Sequence, residues 1–237
     1  GGGYQAGNAD EDLTNAIYAT VAGGVQNTAS GAYSAIGGGS SNTASGFISA
    51  IGGGFTNTAS GFYSAIGGGT YNTASGDYSA IGGGYHNTAS GAESAIGGGG
   101  NNTASGVYSV IPGGYGNTAS GWYSFAAGNQ AHATTDGSFV WADAQDATYN
   151  DHGVNTFNVR AQNGAFIDAK TTGNPGLEVY NNISGSAAGE GTAVLGLSTS
   201  NFGYGLAGWN WAGGVGVGAW SYGGNLIEAY DGDYPDG

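Results

Sequence analysis

Cysteine and methionine are absent from the 237 residues, proline occurs three times, and Lys and Arg together number two. Without cysteine, neither disulfides nor thiolate metal sites can hold the fold. Without clustered basic residues, binding to nucleic-acid phosphates or to an anionic membrane surface has no electrostatic basis. No apolar run approaches the roughly 18 residues that a membrane-spanning helix requires. Charge of any kind is scarce at 8%, and the 16 Asp and Glu residues give a formal net charge of −14. The chain opens on Gly1-Gly2-Gly3, already inside repeat-like sequence, and reads as a segment of something longer.

What the chain has in abundance is glycine, at 53 positions. Glycine at that level costs backbone entropy on ordering and without a period would suggest low complexity. A period is present. Asn-Thr-Ala-Ser-Gly begins at Asn27, Asn42, Asn57, Asn72, Asn87, Asn102 and Asn117, with no insertion between copies. The unit is Asn-Thr-Ala-Ser-Gly-x-Tyr-Ser-Ala-Ile-Gly-Gly-Gly-x-x, and a strict period of this kind signals a solenoid. Fifteen residues with two Gly-rich corners are too few for a helical hairpin and suit two short strands and two turns per coil.

Position ten of the unit is Ile36, Ile51, Ile66, Ile81, Ile96 and Ile111, with Val21 one period upstream, and forms the expected inward ladder. Ala29 and Ala35 stand for the other constant apolar places. Stacked identical rungs satisfy backbone donors and acceptors, and an Asn ladder adds amide bonds between rungs. At about 4.8 Å per rung, seven rungs make a rod of about 35 Å. Position seven (Tyr33, Tyr63, Tyr78, Tyr108, Tyr123) is interrupted by Ile48 and Glu93. A Glu would be costly in a dry core, so this row is expected to be at least partly exposed. Position six (Ala32, Phe47, Phe62, Asp77, Ala92, Val107, Trp122) and the last two positions vary freely, and partner recognition is expected there.

These repeats resemble the head domains of trimeric autotransporter adhesins, whose repeats of similar length also end a short strand in Ala-Ile-Gly. They resemble still more closely the Asn-Thr-Ala-Ser-Gly-x-Tyr-Ser repeats of bacterial surface and tail-fibre-like proteins. The likeness spans Tyr18 to Asp143. It implies an all-β, left-handed parallel β-roll solenoid, a homotrimer packed side by side, and a role in attachment. Lateral packing is also reasonable physically, because so thin a coil has little interior of its own. The adhesin anchor domain and long coiled coil have no counterpart here.

Four regions follow from the pattern: residues 1–17, an entry segment with an acidic insertion at Asp10-Glu11-Asp12; 18–131, the β-roll repeats; 132–190, a cap and β-hairpin region; and 191–237, Gly and aromatic repeats of 11–12 residues. The cap is read from Ser124-Phe125-Ala126-Ala127 and Ser138-Phe139-Val140-Trp141, where larger side chains replace Ala and Ile. The hairpin is read from the alternation around Phe157, Val159 and Ala161, a turn at Asn163-Gly164, and Ala165-Phe166-Ile167. The two basic residues, Arg160 and Lys170, are expected to pair with Asp143, Asp146, Asp151 or Asp168.

No catalytic constellation emerges. His86, His132 and His152 carry no motif, with His132 read at the place of a lost repeat Asn. The threonines from Thr28 to Thr118 could offer a hydroxyl array to ice, or could follow Asn to cap a turn. Calcium is the plausible ion, through Asp231, Asp233 and Asp236 or through Asp143, Asp146 and Asp151 around the expected cap. Trp209, Trp211 and Trp220 could stack on glycan rings or fill a Gly-rich sheet, and Asn101 and Asn182 stand in glycosylation sequons. The expected function is a non-catalytic structural or adhesive subunit of an extracellular bacterial appendage at the cell surface. It is expected to trimerise, to be able to self-assemble end to end, and to meet a surface glycan or protein receptor, without nucleic acid or membrane insertion. A phage tail fibre and an ice-binding solenoid are the alternatives, with a β-helix polysaccharide lyase ranked last.

Overall fold

The computed structural model describes residues 17–162. They form a parallel β-solenoid, all β with no helix, in which each 15-residue repeat makes one coil. Two strands of two residues build each regular coil. Ala-Ile strands stack in register from Thr20–Val21 through Ala35–Ile36 to Val110–Ile111, and Thr-Ala strands stack from Thr28–Ala29 to Thr118–Ala119. Single bridges from Val25 through Phe55 and Tyr85 to Tyr115 add a third line of contact at position fourteen.

The inward and outward sides of each strand follow from the two-residue period. Ile36, Ile51, Ile66, Ile81, Ile96 and Ile111 are buried to 2% exposure or less, and Ala44 through Ala119 at position three are fully buried. Ala at position nine faces outward and is exposed in most coils. The buried Asn row is polar but spent. Asn57, fully buried, donates both its backbone N–H (3.0 Å) and its Nδ2 (3.1 Å) to the Asn42 Oδ1. The same Nδ2 reaches the Gly53 and Gly69 carbonyls at 3.1 and 2.9 Å. That pattern recurs from rung to rung and ends where the Asn117 Oδ1 accepts the Ala131 N–H at 2.9 Å.

Glycine at position five is required by close approach. A Cβ on Gly61 would lie 2.0 Å from the Gly76 carbonyl oxygen on the next rung, and every copy from Gly31 to Gly121 has an equivalent clash.

The regular period ends at Pro112, which replaces the first corner glycine. Elsewhere that residue's N–H donates to the next Ile carbonyl, as Gly97 does to Ile111 (2.9 Å), and Pro has no such donor. The next coil has one residue fewer in this corner, since Val110 pairs Phe125 but Gly114 pairs Gly128. With the spacer shortened, strand and corner bridge fuse into Phe125–Asn129. In the stretch expected to hold a cap and hairpin, Phe139–Ala142 and Phe157–Arg160 add further parallel rungs to the same sheet. The larger side chains do not replace the inward Ile. Phe125, Phe139 and Phe157 continue the outward position-nine line, while Ala126, Val140 and Asn158 fill the inward place. Phe157–Arg160 is the arm that the sequence assigned to a hairpin; Asn163-Gly164 and everything after it lie outside the described residues.

Candidate functional site

The variable side chains stand at two corners, and the backbone there is unusual. Among the described residues sixteen non-glycine residues have positive φ; apart from Asn155 and Gln130 of the irregular coils, all are at positions seven and fifteen of the repeat. They include β-branched Ile48 (φ 55°) and Thr56 (φ 54°), as well as Tyr63, Tyr78 and Glu93 at 57°. The left-handed region costs an L-residue about 1–2 kcal/mol. Stacking enforces it: in the coils where the rung behind is described, the N–H of such a residue donates to the preceding residue's counterpart one rung back, as Tyr63 does to the Phe47 carbonyl at 2.9 Å and Tyr71 to Phe55 at 3.0 Å. In the irregular coils the position-seven place passes to Gly137 and Asn155, types that adopt this conformation at little cost. In the repeats it is held mainly by Tyr.

Those side chains project outward and pack on each other along the rod. At the first corner Tyr18 stacks on Tyr33 (5.1 Å between centroids), Phe47 on Phe62 (4.8 Å), Tyr63 on Tyr78 (5.2 Å) and Tyr108 on Tyr123 (5.1 Å). At the second corner Phe55, Tyr71, Tyr85 and His86 form a smaller group, with His86 stacked on Tyr71 at 4.8 Å. Tyr33, Tyr63, Tyr78, Tyr85, Tyr108 and Tyr123 are all exposed, as the Glu93 interruption suggested.

The Thr row occupies strands, not turn caps. Thr28 to Thr118 pair directly from rung to rung and are half-buried. Two residues on, Ser at position four faces the same way and is exposed in most coils, so this face carries two hydroxyl ranks. The signal was present, because a two-residue period puts Thr and Ser of Thr-Ala-Ser on one side. His132 pairs with Thr118, so it continues the Thr line, and Ala131 takes the lost Asn place. His152 Nδ1 lies 2.7 Å from Asn158 Oδ1.

The carboxylates beyond the regular coils are each engaged separately. Asp143 binds Arg160 Nε at 2.9 Å and accepts the Gln162 N–H at 2.6 Å. Burial works against its charged form, but these bonds and those from Gln145 outweigh it and hold its carboxyl below the usual range. Arg160 also donates to the Ala147 carbonyl and lies over the Tyr149 ring. Asp151 accepts the Thr134 and Thr135 N–H groups at 2.6 and 2.7 Å. It too is held low, because these bonds outweigh its partial burial. Asp146 accepts from Gln130. Among the described residues no three His, Asp or Glu side chains converge as metal ligands, so Asp143, Asp146 and Asp151 are not brought together. Asp231, Asp233 and Asp236, and Trp209, Trp211 and Trp220, lie outside the described residues, as do Lys170 and the Asp10 insertion. Among the described residues no helix is long and apolar enough to cross a membrane.

Together these features define a parallel β-solenoid repeat protein with two aromatic corners and one hydroxyl-bearing face. No protein-family model matches the chain, and no curated protein matches it.

Proposed function

We propose that this chain is a non-catalytic structural and adhesive segment of an extracellular bacterial surface fibre, working as a homotrimer. One observation carries the reading. The constant Asn, Ala, Ile and Gly rows are spent on stacking, whereas the aromatic and variable side chains stand outward at two corners, those at positions seven and fifteen in a backbone conformation that penalises them. A fold that needed only to stack would place Gly or Asn there. Sedimentation of the intact chain at micromolar concentration is expected to give three times the 23.1 kDa chain mass, and a stable monomer would overturn the trimer. Adhesion is tested by attachment of beads coated with the intact chain to immobilised extracellular proteins and glycans. Replacing Phe62, Tyr63 and Tyr78 by Ala is expected to reduce attachment severalfold, and unchanged attachment argues against the corner as the contact.

A second reading, ice binding, is favoured by the paired Thr and Ser ranks on one periodic sheet face. It requires thermal hysteresis by the intact chain that is lost on Thr73→Tyr, and a chain without hysteresis rejects it.

A further inference from the structure

The aromatic line of the first corner is broken at two rungs, and the breaks are unlike each other. At Ile48 the neighbouring Phe47 fills the place, meeting Tyr33 edge-on at 5.7 Å and Tyr63 at 6.0 Å. At Glu93 the neighbour is Ala92, and no ring can swing in. The Tyr63–Tyr78 stack stops on one side of that rung and Tyr108–Tyr123 resumes on the other. Two rung spacings of about 4.8 Å separate Tyr78 from Tyr108, so a flat group midway is about 5 Å from each ring, within reach of a cation–π contact. Glu93 is exposed, and its carboxylate beside Tyr108 raises that phenol above its ordinary value. Asp77, one rung back, is already used by the Phe62 N–H at 3.0 Å.

We infer that the Glu93 rung, flanked by Tyr78 and Tyr108, is a binding notch for the guanidinium of an arginine side chain on a basic protein partner. The guanidinium is planar and weakly hydrated, stacks on aromatic faces and matches a carboxylate with paired donors. An ammonium has the charge without the plane. The chain supplies little competing cation of its own: of two Lys and Arg residues, Arg160 is already bound to Asp143. The inference goes beyond the oligomeric and adhesive reading, since the notch is formed within one chain.

The test is titration of the intact chain with tetra-arginine and with tetra-lysine at physiological salt, followed by calorimetry. Tetra-arginine is expected to bind one per chain, and tetra-lysine at least severalfold more weakly. Glu93→Gln is expected to weaken tetra-arginine binding at least tenfold. Glu93→Tyr is expected to do the same while completing the aromatic line with the residue common at that position, so it keeps the fold intact. Asp136→Asn removes one charge elsewhere while its Oδ1 can still accept the Trp122 N–H, and it is expected to leave binding unchanged. No binding by the wild-type chain, equal binding of both peptides, or equal loss in Glu93→Gln and Asp136→Asn overturns the notch. A chain that sediments as a monomer yet binds arginine through Glu93 separates this inference from the trimer.

Discussion

Two buried polar rows run through the rod and are expected to respond oppositely to the same substitution. Asn72 Nδ2 contacts the Gly68 and Gly84 carbonyls and Asn57 Oδ1, and its own Oδ1 accepts both the N–H and the Nδ2 of Asn87. Asn72→Ala strands the Asn87 N–H in the interior and is expected to cost about 3 kcal/mol. Ser64 is as deeply buried, yet its hydroxyl has no partner, like those of Ser34, Ser49, Ser79, Ser94 and Ser109. Ser64→Ala forfeits no bond and is expected to be neutral or stabilising by up to about 1 kcal/mol. Urea denaturation of both variants checks the pair, and equal losses would contradict this account of the two rows. Left-handed Thr56 makes the complementary case: Thr56→Asn is expected to add about 1 kcal/mol, because Asn tolerates φ near 54° and a β-branched side chain does not. The Asn row was legible in the sequence because its chemistry is visible in one residue type. The left-handed corners were not, because Tyr, Ile, Glu and Thr give no local sign of φ; only the stacking of neighbouring rungs imposes it.

Glycines that look alike in the sequence have different duties within a coil. Gly61→Ala would drive a Cβ to 2.0 Å from a backbone oxygen that cannot move without parting two rungs, and it is expected to abolish folding or cost several kcal/mol. Gly98, in the middle of the Gly-Gly-Gly corner, has nothing within 4 Å of a built Cβ and no positive φ. Gly98→Ala is expected to stabilise by about 0.5–1 kcal/mol through the unfolded state. Thermal denaturation of the two variants decides it. Coil length, strand position and the Ile ladder could be read from periodicity alone. The end of the regular coils is less legible, because the size of Phe125, Phe139 and Phe157 suggests core replacement, whereas only register shows that they continue the outward line. That irregular end is also where acid should act first. Asp143 and Asp151 have depressed folded-state values, so their contribution is present above the ordinary carboxylate range near pH 4 and is lost as pH falls through the lower folded values. Pepsin at pH 3 is expected to cut within residues 143–160 while residues 57–116, which have only Asp77 and Glu93 as acids, stay intact. Simultaneous cleavage of both regions would count against an electrostatic origin.

Because each regular coil touches only its neighbours, the rod should behave as a one-dimensional assembly, its stability a sum of coil and interface contributions. Removing residues 72–86, one full period, joins Tyr71 to Asn87 and sets Asn87 directly over Asn57. Every ladder then continues: Ala59 meets Ala89, Ile66 meets Ile96, and the corners keep their register. This chain is expected to fold with unchanged spectroscopic signature per residue and a modestly lower denaturation midpoint. Removing only 72–78 turns the Ala-Ile strand into the place of Thr-Ala and leaves buried Asn amides without partners, so that chain is expected to aggregate or remain unfolded. The same full-period deletion discriminates between modes of assembly. Side-by-side packing of three rods uses surface along their whole length, so a shorter rod should dissociate at higher chain concentration; contact through the ends alone would leave the dissociation constant where it was. Sedimentation equilibrium of the two chains over a range of concentrations measures that difference. A rightward shift with coil removal is the outcome expected of a laterally packed trimer.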